Sequence, residues 1–505
     1  MIPALLILLF VEGLSYGIFA GGLGFYHDDW FLLELASQGG GFWGAVRTFA
    51  RTATFWTRPI EMLQLPAFYA LGGLHPLVYQ LLLLGLETLE GLLFFVLLKK
   101  LTKNAELALL AAALALMCPN RAVTHVWFAN SGQTVALVLA LAGLILALDW
   151  IETRRLGRLG GAMACYLASV LTYESAAFMP LMLAGGLLVR AVHSGRTVRA
   201  AALETARDLS PFAAALALAL GWQRVGVKVL FGGSNPKAMG LSAAHVLKAF
   251  GAGFECVANR ILDICSKSAR PAFAEMSWTS ILLWALFASA ASFLLRPRKT
   301  AEGAVLKTAL AAALGGFLGA YAPYAASAAY MPQIYGMMSR TNGSGALVAG
   351  LLFATGIYAL KDSRAKAALL AAVVGAFTWT NWHIEGQWAR AWSVQKEILA
   401  QAAPQSAGLP QGATVILKAP HFVGDAVVFD ASWDFPPALR LAARRPDLNG
   451  LVLSRMMAFT EKGLVEKVGG GLENLTPYGN LYLFDYASER LSRIDGPPSE
   501  AIDLR

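Results

Sequence analysis

Long apolar runs recur along this sequence, and they constrain the fold more than any other feature. Each run has about 17–23 residues with few charges, which is enough for a helix to cross roughly 30 Å of hydrocarbon. The chain of 505 residues is 57% hydrophobic and only 14% charged, whereas a soluble chain of this length exposes charged surface on several domains. The sequence therefore predicts an α-helical polytopic membrane protein.

Five basic clusters lie in short loops between the apolar runs. The positive-inside rule places such loops in the cytoplasm, so the net charge of +9 is explained without nucleic acid. With all five inside, we expect about eleven spans, an uncleaved first span, the N-terminus inside and the C-terminus outside. The clusters are Lys99, Lys100 and Lys103; Arg154, Arg155 and Arg158; Arg190, Arg196, Arg199 and Arg207; Arg296, Arg298 and Lys299; and Lys361, Arg364 and Lys366. The expected spans lie near residues 3–24, 77–98, 104–118, 130–149, 160–172, 174–190, 209–228, 277–295, 303–324, 343–360 and 366–382.

The first predicted outer loop, about residues 25–76, begins with FYHDDWFLLELA and carries adjacent aspartates, Asp28 and Asp29. An acid before an apolar run caps a helix, and one aspartate satisfies that role. A second beside it costs repulsion unless a proton, cation or ligand offsets it, so a cap and a functional site both stay open. The loop also mixes arginines with aromatics at near-helical spacing, which predicts interfacial helices that turn four aromatic residues toward lipid. These are Trp30, Phe31, Trp43 and Phe55.

An acidic pair directly after the first span, in a long outer loop with interfacial helices, resembles the GT-C superfamily of glycosyltransferases. This superfamily includes the protein O-mannosyltransferases and the aminoarabinose transferases of lipid A. Three further segments resemble the family's in the same order along the first 190 residues. They are TRPIEMLQLPAFYALGGLHPLVYQLLLLGLETLEGLLFFVLLKKL (57–101), PNRAVTHVWFAN (119–130) and LTYESAAFMPLML (171–183). One departure is that many relatives carry Asp-Glu where this chain has Asp28-Asp29.

The resemblance implies an enzyme that moves a sugar from a polyprenyl-phosphate donor to a hydroxyl of a glycan, lipid or protein, on the outer face of a bacterial inner (plasma) membrane. Such a transfer needs a carboxylate base and cations on the departing phosphate, and the family pattern makes Asp28 the base and Asp29 its support. Different classes remain as alternatives: a lipid-linked glycan transporter, a surface-polysaccharide polymerase or ligase, or a non-catalytic membrane scaffold. A transporter would place its functional acids at mid-depth, at Glu12 and Glu87.

Cations in the predicted outer segments are candidates for holding the donor phosphate, although each could equally reach to lipid headgroups. These candidates are Arg58, Arg224, Lys228 and Arg340. Candidates for positioning the sugar are His27, Arg121, His125 and Glu174. His125 could also be an ordinary interfacial histidine, and Glu174 could be the N-terminal charge of the next helix.

Two groups of acids invite other interpretations. His27, Asp28 and Asp29 offer three ligands, but consecutive residues rarely converge on one ion, so a divalent cation there is possible but not expected. Glu12, Glu87 and Glu90 lie near the middle of two predicted spans. We expect them to be protonated carboxyls bonded between helices rather than an ion path.

The composition changes near residue 383. We expect a transmembrane domain over 1–382, an amphipathic exit helix and linker over 383–402, and an extracytoplasmic α/β domain over 403–505. ATVILKAP, DAVVFDAS, LNGLVLS and NLYLFDY are typical of short strands, and WDFPPALRLAARRPD of a helix capped by Asp434. The sequence leaves open whether this domain is a lid over the membrane site or recognises the acceptor.

Overall fold

The computed structural model describes residues 1–232, 242–275, 277–297, 302–327, 329–454, 457–468 and 472–497. A helical part is followed by a small α/β domain. In the described residues the helices are α1 (Ile2–Ser15), α2 (Asp28–Ser37), α3 (Phe42–Ala50), α4 (Glu61–Gly72), α5 (Pro76–Thr102), α6 (Ala105–Met117), α7 (Val123–Val126), α8 (Ser131–Thr153), α9 (Leu156–Thr172), α10 (Pro180–His193), α11 (Val198–Gly221), α12 (Val227–Phe231), α13 (Ala243–Val257), α14 (Asn259–Glu275), α15 (Trp278–Leu295), α16 (Gly303–Ala325), α17 (Gly343–Ala359), α18 (Ser363–Ser406) and α19 (Phe435–Ala443).

Eight of the helices in the described chain are long and apolar enough to cross a membrane, which confirms a polytopic helical membrane protein. The three remaining predicted spans correspond to shorter apolar helices, α1, α6 and α9. The count of eleven spans stays a prediction.

Helix α6 occupies the centre of the helical part. Its side chains from Leu107 to Met117 are buried except that of Leu109, which is partly buried, and its small alanines let α17 approach closely. A Cβ added to Gly350 of α17 would lie 2.6 Å from the carbonyl oxygen of Ala111. Protein rather than lipid therefore surrounds this helix.

The basic clusters meet at one end of the helical part, which we call the basic end. Lys100 pairs with Asp149 at 2.5 Å, and Arg154 pairs with Asp208 at 2.8 Å. A cavity of about 510 Å³ is lined by Lys103, Arg190 and Arg196, among others, and Lys366 lies over the ring of Tyr358, which contacts Asn104. Arg298 and Lys299 lie outside the described residues. Since the helices run between two ends, the segments around 25–76, 119–130, 171–176 and 336–342 lie at the opposite end.

The first predicted outer loop folds into α2, α3 and α4, and its aromatic residues divide between two environments. Phe31 and Trp43 are 37% and 67% exposed, which agrees with the prediction. Trp30 and Phe55 are buried, so the prediction that they face lipid is wrong. The Trp30 indole donates a hydrogen bond to Gln395 of α18 at 2.9 Å, because α2 packs on the long helix rather than lying free on the membrane.

The predicted outer loop over 229–276 contains two helices, α13 and α14, that pack against α16 and α18. His245 of α13 lies 3.1 Å from the carbonyl oxygen of Tyr324 in α16. Residues 233–241 and 276 of this loop lie outside the described residues. The loop is therefore largely a second packed layer rather than a simple connection.

The C-terminal domain has the expected α/β character. Its main sheet has the strand order β4-β1-β8-β9, in which β1 runs parallel to both β4 and β8, while β8 and β9 are antiparallel. Each of the four predicted segments contains a strand, and Asp434 caps α19 by accepting from the Phe435 amide. Helix α18 continues to Ser406, past the predicted boundary at 403. The described strands are β1 (Thr414–Lys418), β2 (Phe422–Val423), β3 (Ala426–Val427), β4 (Asn449–Val452), β5 (Met457–Thr460), β6 (Gly463–Val468), β7 (Leu472–Pro477), β8 (Leu481–Asp485) and β9 (Arg490–Arg493).

This domain docks onto the start of the first loop. Arg440 of α19 forms an ion pair with Glu34 of α2, with Nη2 2.7 Å from Oε2. The Trp433 indole packs edge-to-face on the ring of His27, with the ring centroids 5.4 Å apart. The C-terminal domain therefore contacts α2 and His27, the residue directly before the acidic pair.

Candidate functional site

Asp28 is the first residue of α2, and its carboxylate does not cap the helix, since no side chain accepts from the first amides. The capping interpretation of Asp28 is therefore wrong. Its Oδ1 atom lies 2.9 Å from Nδ1 of His27, and its side chain is 40% exposed. Among the described residues, His27 is the partner of this carboxylate, and its exposed fraction leaves it accessible to a ligand.

Asp29 is fully buried and binds backbone instead. It accepts hydrogen bonds from the amides of Tyr26 at 2.8 Å and Ala129 at 2.6 Å. Burial raises the pKa of Asp29, and the two amide hydrogen bonds oppose that rise. Asp29 thus fastens the first loop to the segment 119–130 and positions its neighbour.

His27 holds the acidic pair in a strained turn. Its φ of 49° and ψ of −117° lie outside the regions that residues with a side chain favour. Its Nε2 lies 3.7 Å from Asp430 of the C-terminal domain. Burial lowers the pKa of His27, but the hydrogen bond to Asp28 and the charges of Asp28 and Asp430 outweigh it, so the pKa is raised overall.

Trp127 connects the acidic pair to a cation. The ring of Trp127 is 5.7 Å from that of His27 between centroids, and the Arg340 guanidinium carbon lies 4.9 Å from the Trp127 ring centroid. Arg340 also lies over Tyr330 at 5.2 Å, and no described acid forms an ion pair with it. The Trp127 indole N–H is buried without a partner in the described structure. These groups offer a positive charge and an indole donor that have no acidic or hydrogen-bond partner among the described residues, and Trp127 links them to His27, the neighbour of Asp28.

Arg58 is neutralised within the protein. Its guanidinium donates to Glu174 at 2.9 Å, lies 3.8 Å from Glu61 and stacks over the Tyr173 ring at 4.0 Å. Burial lowers the pKa of Arg58, but the charges of Glu174 and Glu61 more than offset this and leave it well above its usual value. Arg58 is a permanently charged group whose charge two carboxylates already balance.

A cavity of about 160 Å³ opens beside these cations, between α9, α11 and α16. Val170, Phe178 and Leu216 contribute to its apolar wall, and Glu174 and Arg224 to its polar rim. Tyr330, which lies under Arg340, also lines it. Of the predicted cations, Arg224 lines this cavity, while Arg58 and Arg340 each contact a residue that lines it, Glu174 and Tyr330. Lys228 is exposed and is not among the residues that line this cavity.

Arg121 and His125 lie deeper, in a buried cluster. Arg121 donates to Glu90 at 2.6 Å and to Glu87 at 2.9 Å, and His125 contacts Glu87. The expected bond between carboxyls of neighbouring helices is therefore wrong for Glu90, whose partner is the Arg121 guanidinium. Glu87 of α5 binds Arg121 and His125 and also interacts with the carboxyl of Glu12 in α1. Neither Arg121 nor His125 is placed beside Asp28.

Sequence reasoning missed Trp127, Tyr330 and Asp430. Trp127 lies inside the quoted segment PNRAVTHVWFAN, so a search for aromatics beside the candidate histidine and arginine would have found it. Tyr330 and Asp430 carry no local signal, since only the packing of distant segments brings them to Arg340 and His27.

The sequence matches no protein-family model and no curated protein sequence. Among solved structures, the chain is similar to the crystal structure of ArnT from Cupriavidus metallidurans bound to undecaprenyl phosphate, with 14% identity and a TM-score of 0.42, over 89% of this chain and 84% of that one. It is also similar to the apo state of the same protein, with 14% identity, a TM-score of 0.41 and the same coverage.

Proposed function

We propose that this chain is a GT-C-type glycosyltransferase that transfers a sugar from a polyprenyl-phosphate donor to a hydroxyl acceptor at the outer membrane surface. One observation carries the proposal: the open carboxylate of Asp28 and the uncompensated guanidinium of Arg340 contact the same short aromatic chain, His27–Trp127. The resemblance of residues 25–183 to that superfamily points the same way.

The two groups match the charges that develop during transfer. As the acceptor oxygen attacks C1 of the sugar, its proton passes to the Asp28 carboxylate. The bond from C1 to the phosphate oxygen breaks, and its electron pair leaves with the lipid phosphate. Arg340, with Arg224 at the cavity rim, stabilises that growing negative charge.

The cavity supports a lipid-linked donor rather than a soluble one. Its wall is apolar where it borders α9 and α11, and its polar rim lies next to Arg340. A lipid phosphate placed there keeps its tail against apolar side chains while its headgroup reaches the cations. The transporter alternative finds less support, because Glu12 and Glu87 face a space of only about 10 Å³.

The C-terminal domain is proposed to take part in acceptor binding. Trp433 and Asp430 lie against His27, directly beside the proposed base. An acceptor hydroxyl that reaches Asp28 has to pass this domain. In this proposal the surface of the C-terminal domain that acts as a lid over Asp28 also recognises the acceptor.

The test is transfer by the purified full chain in liposomes, supplied with a panel of undecaprenyl-phosphate sugars. Asp28→Asn should lower transfer roughly a hundredfold or more, since the base is lost, while binding of undecaprenyl phosphate is unchanged. Arg340→Ala should weaken that binding about tenfold, the loss expected for one charge-assisted contact. Asp263→Asn, an exposed carboxylate on α14 paired with Lys267, is the control. Near-wild-type transfer by Asp28→Asn would remove Asp28 from the mechanism.

A further inference from the structure

Three potential metal ligands converge below the candidate site from separate parts of the chain. They are Glu12 of α1, Glu87 of α5 and His125 of α7. One ligand atom from each lies within 4.8 Å of the others. Their exposures are 0%, 1% and 4%. Unlike His27, Asp28 and Asp29, these residues come from three elements and can surround an ion.

No described residue donates a hydrogen bond to the Glu12 carboxylate, so its charge needs a cation from elsewhere. Both of its carboxylate oxygens are buried without a hydrogen-bond partner among the described residues, as are the Tyr16 hydroxyl and Nε2 of His125. A cavity of about 10 Å³ lies between Glu12, Tyr16, Gln80, Glu87 and His125, which is room for a single small particle. Among the described residues the nearest cationic partner of Glu12 is His125, with Nδ1 3.4 Å from Oε1, and a charged carboxylate buried with so little compensation is costly.

Other acids around Glu12 increase its need for a cation. Arg121 serves both Glu87 and Glu90, so one guanidinium faces three carboxylates when Glu12 is counted. A further buried acid, Glu385 of α18, has no hydrogen-bond partner in the described residues on either oxygen and interacts electrostatically with Glu87. Four acids, Glu12, Glu87, Glu90 and Glu385, therefore lie around one guanidinium.

We propose that Glu12, Glu87 and His125 bind a divalent transition-metal ion, with Zn²⁺ as the best match. Two carboxylates and an imidazole are the donor types that Zn²⁺ accepts, and a fourth position remains for a water. Two ligand atoms about 2.1 Å from a tetrahedral ion are roughly 3.4 Å apart. Nδ1 of His125 and Oε1 of Glu12 are separated by 3.4 Å. Nδ1 is also in direct contact with Oε2 of Glu87, so binding of one ion by all three residues requires the His125 and Glu87 side chains to move apart.

Neighbouring groups orient the three ligands. Oε1 of Glu87 accepts from Arg121 and from Thr124, which leaves Oε2 as the atom facing His125. The Tyr16 ring stacks on the imidazole, with the centroids 3.2 Å apart. Such outer contacts fix the direction of ligand lone pairs in metal sites.

The ion has a positioning role. It joins α1, α5 and α7, and His125 precedes Trp127 by two residues. The ion thereby holds the segment that carries Trp127 toward Arg340. It takes no part in transfer itself, and the proposal does not depend on the proposed function.

The experiment measures bound metal in the purified full chain by mass spectrometry, before chelation, after chelation and after reloading with Zn²⁺. We expect about one ion per chain and a thermal midpoint that falls on chelation and recovers on reloading. Glu12→Gln should abolish both effects. This variant keeps the shape of a side chain that makes no hydrogen bond among the described residues, so it is expected to fold.

Glu90→Gln is the matched control, because it removes the same charge from the same cluster without removing a ligand. It should keep the ion and the thermal response. Three results would each overturn the proposal: no bound Zn²⁺ after reloading, an unchanged metal content in Glu12→Gln, or equal loss in Glu12→Gln and Glu90→Gln. The last would mean that charge alone, rather than coordination, attracts cations here.

Discussion

At the scale of single residues, Asp28 and Asp29 are neighbours in the chain with different surroundings. Successive residues on a helix point about 100° apart, so one carboxylate faces the space under the C-terminal domain and the other faces the protein interior. Asp28 is 40% exposed, whereas Asp29 binds two amides from two segments. The second acid of the pair has a structural reason to be present.

Asp29→Asn should lower the stability of the protein more than Asp28→Asn. The amide can accept one of the two backbone hydrogen bonds but presents N–H₂ to the other amide, which costs about 1–3 kcal/mol when buried. Thermal unfolding of the detergent-solubilised chain, followed by intrinsic fluorescence, measures the difference. A lower midpoint for Asp28→Asn than for Asp29→Asn would reverse the two assignments.

His27 should make the stability of the protein depend on pH. The pKa of His27 is raised above its ordinary 6.5, so the folded state binds the proton more tightly than the unfolded state. The stability that protonated His27 contributes is fully present below pH 6.5 and is lost as the pH rises through the higher pKa of His27 in the folded state. In His27→Gln the thermal midpoint should therefore fall less as the pH rises above 6.5. The control is His193→Gln, which replaces an exposed histidine at the basic end and should leave the pH profile unchanged. Equal pH profiles for wild type and His27→Gln would contradict this role.

At the scale of elements, the close contact of α6 with α17 shows how a short, alanine-rich helix is held at the centre. Gly350 allows this approach, since a Cβ there would meet the backbone of Ala111 at 2.6 Å. Gly356, on the same helix, has open space around its added Cβ. The two glycines provide a matched pair.

Gly350→Ala should destabilise the chain, because overpacking a close contact typically costs 1–3 kcal/mol. Gly356→Ala should leave the stability unchanged or raise it slightly, since alanine favours the helix by about 1 kcal/mol over glycine. Thermal midpoints and the yield of monodisperse protein measure both effects. If the two variants behave alike, the packing of α6 against α17 is not as close as described.

At the scale of the whole molecule, the basic clusters that the structure describes and the candidate site occupy opposite ends. Ion pairs such as Lys100–Asp149 and Arg154–Asp208 join neighbouring helices at the basic end. Asp28, Trp127 and Arg340 meet at the other end. The arrangement agrees with one membrane face for all the described basic clusters.

Reporter fusions should assign the two ends to the two sides of the membrane. Fusions after Lys100 and after Arg158 should report the cytoplasm, because short basic loops stay inside. A fusion at the C-terminus should report the exterior. An exterior signal after Arg158 would place the candidate site in the cytoplasm and contradict the proposed location of transfer.

The sequence by itself determined the membrane class, the position of most helices and the α/β character of the C-terminal domain. These properties follow from local signals: the length of apolar runs, the basic loops between them and the alternation in short strands. The cap of α19 by Asp434 belongs with them, since it depends on adjacent residues alone.

Only the tertiary structure decided which candidate residues work together. It paired Arg58 with Glu174, left Arg340 beside Trp127, and brought Glu12, Glu87 and His125 around one small space. Each of these contacts joins segments far apart in the chain, and no local period relates their positions. Whether a buried charge is balanced depends on such distant neighbours, which is why the sequence could name these residues but not assign their partners.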